Sequence, residues 1–341
     1  MSLGDKDQPS AQTFKALGVG IDCAKWASGI VSFANTSKRV AELVAAIEEI
    51  LSAGSMSTQE ALVLRGRMQF AKAQIWGRAS KSCLNAVTSH AYQGSNIALS
   101  EHTVDCLVAF RDCLKSARPR EITPLWNVPF YVFTDASFNP EDKNWPCGLG
   151  GVLVDSCGRQ LPAFSLTLLH SDLLLLGYPE KSTVIFEAEL LALIVALIVW
   201  RKFLRHRPCV AYIDNNSTRD VSISGTARTQ PGKSLVAQLL EAEDVGGILA
   251  WYTRVPSSSN IADTPSRGKE DGITTKFMPA EFVHLIVNKC LSKNKPNRLK
   301  WGITWLTWHS FDAKLFGFSA DTADWQLQRV VVRRPSNRGA L

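Results

Sequence analysis

The chain has 341 residues, 45% hydrophobic and 20% charged, an ordinary globular balance with room for two domains. Its formal net charge of +7 fits a polyanionic partner and fits solubility alone equally well. The eight cysteines are scattered with no CxxC pair, which argues against a zinc site or a disulfide frame and for reduced thiols in a reducing, intracellular compartment.

Met1 to Gln12 is polar, with no apolar core for a secretory signal. Phe14 to Ser32 reads as a hairpin-like piece, Ala16 to Asp22 followed by Gly29 to Phe33. Helical spacing of Val40, Leu43, Val44, Ile47 and Leu51 predicts a helix over Ser37–Leu51. Ser57 or Thr58 caps a second helix running through Ala71, and further helices are expected over Ala73–Ala91 and Glu101–Ser116. Basic residues punctuate this mostly helical region (1–118): Lys38, Arg39, Arg65, Arg67, Lys72, Arg78 and Lys81. They suit either a grip on backbone phosphates or a solvated helix face. Ser116 to Pro124, with two prolines and no periodicity, reads as a linker, with the boundary near Pro119.

After the linker the pattern changes. Phe130 to Phe133 is a buried strand that carries Asp135 to its C-terminal lip, followed by Ala136 and Ser137. Gly148 to Val154 is a second strand, Asp155 to Gly158 a turn, and Arg159 to Leu168 a third strand. Ser182 or Thr183 opens a helix that presents Glu187 and Glu189 before a long apolar run. Leu190 to Trp200 is too short to span a bilayer and reads as a helix buried against a sheet, so no membrane partner is expected. Cys209 to Ile213 is another strand, ending in Asp214, Asn215 and Asn216. Ile248 to Val255 is a further strand, and a Ser-rich loop then leads to Asp263.

Acids delivered by separate elements to one place raise one another's pKa, so an ionised cluster calls for cations. An all-oxygen donor set suits Mg²⁺ or Mn²⁺. Two such ions, about 3.5–4 Å apart, clamp the attacking and leaving oxygens in phosphodiester cleavage.

The order of these motifs resembles a retroelement ribonuclease H domain, in the versions carried by DIRS-type and Gypsy-type elements. Thr134-Asp135-Ala136-Ser137 matches the first-strand Asp, Glu189-Leu190-Leu191-Ala192-Leu193 the helix Glu, and Ile213-Asp214-Asn215 the fourth-strand Asp. Val255 to Asp263 matches the last motif. The resemblance covers residues 125–270. It implies an α/β fold, a ribonuclease H-like mixed five-stranded sheet flanked by helices and preceded by a mostly helical domain. It implies catalysis by Asp135, Glu189, Asp214 and Asp263 with two ions, and hydrolysis of the RNA strand of an RNA–DNA hybrid. The family phasing prefers Glu189 to Glu187. Asp263 stands open between metal ligand and helix N-cap, since Thr264-Pro265 follows. In the expected mechanism Asp135, Glu189 and Asp214 hold one ion, and Asp135 and Asp263 the other. Ser137, Asn215, Asn216, Ser217 and Arg267 are the candidate nucleic-acid contacts, with helix capping as the alternative for the Asn215–Ser217 run.

The first 118 residues are similar to the thumb and connection of the same reverse transcriptases. A polymerase site needs two adjacent Asp residues, and the chain has no Asp-Asp pair. It therefore reads as a downstream part of a polyprotein whose polymerase part is a further expected partner. Many family members carry a His in the loop before the last Asp. Here the loop is Pro256-Ser257-Ser258-Ser259-Asn260, which implies slower turnover. Residues 271–341 form a basic, Trp-containing extension, with a helix expected over Pro279–Leu291 and with Trp301, Trp305 and Trp308 on one helical face. Two other readings stay open: a nucleic-acid-binding remnant that cuts nothing, and a DNA-cutting nuclease or integrase of the same fold.

Overall fold

The computed structural model describes residues 12–75, 77–78, 80–93, 98–122, 129–205 and 207–292. The expectations for Met1–Ala11, for Thr123–Pro124 of the linker and for Trp301, Trp305 and Trp308 lie outside the described residues.

The elements in chain order are β1 (Thr13–Ala16), β2 (Val19–Asp22), β3 (Val31–Asn35), α1 (Ser37–Ala53), α2 (Thr58–Lys72), α3 (Lys81–Ala91), α4 (Glu101–Ser116) and β4 (Arg120–Ile122). Then come β5 (Phe130–Phe138), β6 (Cys147–Val154), β7 (Gln160–Thr167), α5 (His170–Leu176), α6 (Ile185–Val199), α7 (Arg201–Leu204) and β8 (Pro208–Ile213). Last are α8 (Asn216–Ser224), α9 (Gln230–Gly246), β9 (Leu249–Arg254), α10 (Asp263–Ser266) and α11 (Ala280–Ser292).

Three local expectations change in the first third. Ala16–Asp22 is not one strand, because the chain reverses at Leu17-Gly18, where both residues take positive φ; β1, β2 and β3 are an antiparallel meander. The helix expected over Ala73–Ala91 starts only at Lys81, since Gly77 sits at φ +84°, outside the helical range. The linker is not structureless: Arg120–Ile122 pairs with Val31–Phe33 and completes a four-stranded sheet in the order β1-β2-β3-β4. The other helices follow the sequence pattern. Ser57 and Glu60 form a reciprocal capping box at the start of α2, and Leu43, Ile47, Leu64, Met68, Leu107 and Phe110 fill the core between α1, α2 and α4.

The second sheet has five strands in the order β7-β6-β5-β8-β9. β5, β6 and β7 are antiparallel, whereas β8 runs parallel to both β5 and β9. A strand that leaves β5 and returns parallel to it needs a long crossover, and α5, α6 and α7 supply it. Helix α6 is apolar all round and almost entirely buried, the signature of a helix enclosed on every side. It packs on β5, β6, α9 and α11. The core of this sheet continues past residue 270, through Met278, Val283, Ile286 and Val287 of the α11 segment.

Arg78, read from sequence as a phosphate grip or a solvated face, is neither. It donates to Glu243 on α9 through Nε and Nη2 at 2.8 and 2.5 Å. Its guanidinium also lies 5.5 Å from the Tyr252 ring centre, and the Tyr252 hydroxyl bonds the same carboxylate. Lys81 reaches the carbonyl of Ile223. These side chains tie the loop before α3 to α8, α9 and β9.

Candidate active site

The register of the sheet places the acids. β5 does not stop at Asp135, as the sequence pattern suggests. It continues to Phe138, because β6 remains paired with it as far as Cys147. The lip forms instead on the other side of β5. The parallel pairing with β8 ends at Phe133–Tyr212, and β8 itself ends at Ile213. Asp214 therefore leaves the sheet beside Asp135. Glu189 enters from the second turn of α6.

One carboxylate oxygen from each of Asp135, Glu189 and Asp214 lies within 4.8 Å of the others. Asp135 and Glu189 are 5% and 7% exposed, so water does little to screen them. Among the described residues none of the three forms an ion pair. Burial pushes the Asp135 carboxyl up to about 7; the Ser266 hydrogen bond pulls the other way, and Asp214 and Asp263 add to the rise. Burial likewise pushes Glu189 up to about 8, opposed by the Asn215 amide and reinforced by Asp214 and Asp135. Glu189 Oε2 and Asp214 Oδ1 are buried oxygens with no hydrogen-bond partner. Orphaned buried acceptors in a set of oxygen donors fit a hard divalent cation.

Glu187, two positions earlier, does different work. Its Oε1 accepts from Lys181 Nζ and from the Thr229 hydroxyl at 2.5 and 2.9 Å. The roughly 200° of helix between the two positions puts Glu189, and not Glu187, beside Asp135 and Asp214.

Asp263 begins the short helix α10, and its Oδ1 is held by Arg267 Nε and Nη2 at 3.0 and 2.8 Å. It stands outside the trio yet close enough to raise the Asp135 pKa. Arg267, expected at nucleic acid, forms this pair with a side chain that is more than half exposed. Ser137 is also engaged: its hydroxyl donates to the Ser266 carbonyl at 2.7 Å and accepts from the Gly148 amide. The Asn215 carbonyl oxygen caps α8 through the amides of Ser217 and Thr218, while its Nδ2 donates to Glu189 Oε1 at 3.1 Å. Asn216 and Ser217 are exposed at the start of α8.

Sequence reasoning missed the seat of α10. A Cβ at Gly148 or Gly150 would collide with the backbone of Ser266. Those two glycines let α10 lie directly on β6. Trp145 Nε1 and Ser137 then donate to the Ser266 carbonyl, and Ser165 donates to that of Pro265 at 2.6 Å. The loop ahead of it is pinned by Asn260, whose Nδ2 donates to the carbonyl of Thr134. The visible signal was Gly148-Leu149-Gly150-Gly151, since glycine inside a strand marks close backbone approach.

This strand order, with the acids gathered at the β5–β8 step, makes the fold ribonuclease H-like. No family model and no curated protein matches the chain. Among solved structures it is similar to RNase H1 from the halophilic archaeon Halobacterium salinarum NRC-1, with 18% identity, TM-score 0.31, and coverage of 39% of this chain and 90% of that one. It is similar to LC11-RNase H1 in complex with RNA/DNA hybrid, with 19% identity, TM-score 0.32 and coverage of 39% and 91%. A foamy viral protease-reverse transcriptase dRH in complex with double-stranded DNA matches 71% of this chain and 38% of its own, with 16% identity and TM-score 0.28.

Proposed function

We propose that the chain is a metal-dependent endonuclease that hydrolyses the RNA strand of RNA–DNA hybrids. We place it in a retroelement polyprotein whose polymerase site lies elsewhere, with residues 1–118 as its thumb- and connection-like part and a nuclease domain that starts near 125 and, because α11 shares the core of its sheet, runs past the expected boundary at 270 to include α11. The observation that carries the nuclease reading is the trio of carboxylates, Asp135 and Glu189 buried and Asp214 half-buried, with no ion-pair partner among the described residues and with two oxygens that have no hydrogen-bond partner. Asp135, Glu189 and Asp214 would hold one Mg²⁺ or Mn²⁺. Asp135 and Asp263 would hold a second, with Arg267 yielding Asp263. When bound, the ions supply Lewis-acid stabilisation of charge on the attacking and leaving oxygens of the phosphate.

The chain's own residues supply the frame. Asn260 fixes the last loop to β5 next to Asp135. Asn216 and Ser217, exposed beside Asp214, offer the small polar groups that can read a 2′-hydroxyl. Asn215 has both ends of its amide in use, so the contact role assigned to it passes to these two.

The test is cleavage of end-labelled RNA–DNA hybrid, duplex RNA and duplex DNA with Mg²⁺ or Mn²⁺. The expected result is metal-dependent cutting of RNA in the hybrid alone, lost in Asp135→Asn. A chain that shifts the hybrid in a gel but leaves it intact with either metal is a binding remnant. Cutting of duplex DNA would make it a DNA nuclease of the same fold.

A further inference from the structure

Each of two acids in the trio has one oxygen held by a neutral donor. Ser266 Oγ lies 2.6 Å from Asp135 Oδ2 and 2.9 Å from the carbonyl of Asp263; its single proton favours the charged acceptor. Ser266 is completely buried, so its hydroxyl has no water to turn to. Asn215 Nδ2 does the same for Glu189 Oε1, and Asn215 Oδ1 is fixed in turn by two α8 backbone amides. The oxygen left over on Glu189 is one of the two orphans. Neither donor carries charge, so neither neutralises the carboxylate it orients.

We propose that Ser266 and Asn215 are positioning residues for the divalent cation: each takes one oxygen of its acid and leaves the other turned toward the shared centre. The inference rests on the metal-dependent reading above and adds to it the residues that set ligand direction. The glycines at 148 and 150 belong to the same device. Without them α10 would stand off β6, and the Ser266 hydroxyl would no longer reach Asp135. Outer partners of this kind typically change metal affinity about 10- to 100-fold when removed.

The experiment is calorimetric titration of the full chain, first stripped with EDTA and then dialysed free of it, with MnCl₂. Circular dichroism checks the fold of each variant. Ser266→Ala is expected to weaken Mn²⁺ binding about 10- to 100-fold. Ser266→Cys keeps the volume but donates weakly, and falls between wild type and Ser266→Ala; it also serves if the alanine variant does not fold. Asn215→Ser keeps an N-cap but has no amide for Glu189, and loses affinity on the same scale. Ser165→Ala is the control. It removes a hydrogen bond to α10 at Pro265 without touching an acid, and is expected to leave affinity within about threefold. Equal losses in Ser165→Ala and Ser266→Ala would overturn the proposal, because Ser266 would then act only through the seat of the helix. Unchanged affinity in Ser266→Cys and Asn215→Ser would overturn it too. If wild type and Asp135→Asn bind Mn²⁺ alike, the metal reading itself fails, which is a different result.

Discussion

Glu187 and Glu189 sit on the same helix, are both buried, and are treated in opposite ways. Glu187 meets an ammonium and a hydroxyl. Glu189 meets one amide, two other acids and an oxygen without a partner. The treatment of Glu187 recurs at the junction with the helical region, where buried Glu243 is matched by Arg78 and Tyr252. Glu187 and Glu243 are thus each matched by a cation. At the β5–β8 step, among the described residues, Asp135, Glu189 and Asp214 have only neutral donors and no ion-pair partner, which is the arrangement the proposed cation would complete.

The largest effect that would break this contrast is on catalysis. Asp135→Asn keeps the shape of the site but removes a charge, and hybrid cleavage should fall by at least about 10²–10³-fold, the scale of losing one preorganised stabilising group. Retained cleavage would place the chemistry elsewhere.

Next in size is the compensated side. Arg78→Met leaves Glu243 buried without its cation and should destabilise the chain by about 3–5 kcal/mol, read from urea midpoints. Arg78→Met with Glu243→Leu should recover a large part of that loss, because the stranded charge is gone. A double variant no more stable than the single one would show that Arg78 acts by packing alone.

The pH response sharpens the same difference. In EDTA, Asp135 and Glu189 titrate near 7 and 8 in the folded chain and at ordinary carboxylate values in the unfolded one. The folded state therefore binds more protons over that range. Stability from this source is fully present below about pH 4 and is lost as pH rises through 7 and 8, with a slope of at most about 1.4 kcal/mol per pH unit for each group. Melting curves between pH 5 and 9 should show this fall, and saturating Mn²⁺ should remove most of it. A stability that rises over the same interval in EDTA would contradict the charge crowding described here.

The smallest effect is expected at Asp263. It is partly exposed and already held by Arg267, so Asp263→Asn should reduce cleavage less than Asp135→Asn does, with the deficit shrinking as Mn²⁺ is raised. An equal loss would make it a full member of the central group.

What the sequence disclosed follows from what is local. An acid at the end of an apolar strand is a short-range pattern, and it marks Asp135 and Asp214; the apolar helix offers both Glu187 and Glu189, and only the resemblance prefers Glu189. The mixed sheet is anticipated only through the family resemblance that the order of these motifs carries. Partnerships across the fold were not legible. Arg78 and Glu243 are 165 positions apart, and Ser266 and Asp135 are 131 apart; nothing in either neighbourhood names the other. Arg78 looked like one more surface cation because periodicity places a residue on a face without saying what covers that face. Arg120–Ile122 looked like a linker because three residues between prolines carry no alternation, and only the open edge of β3 gives them a partner.

The most direct measurement is the thermal shift with Mn²⁺ at pH 8.5 for wild type, Glu187→Gln and Glu189→Gln. Binding to the folded state alone stabilises by about 2.7 kcal/mol at a hundredfold excess over Kd, so wild type should melt higher with metal. Glu187→Gln should melt lower than wild type and keep the shift. Glu189→Gln should melt higher than wild type in EDTA, since a crowded charge is gone, and should lose the shift. A wild type indifferent to Mn²⁺, or a Glu189→Gln variant that keeps the full shift, would contradict the account.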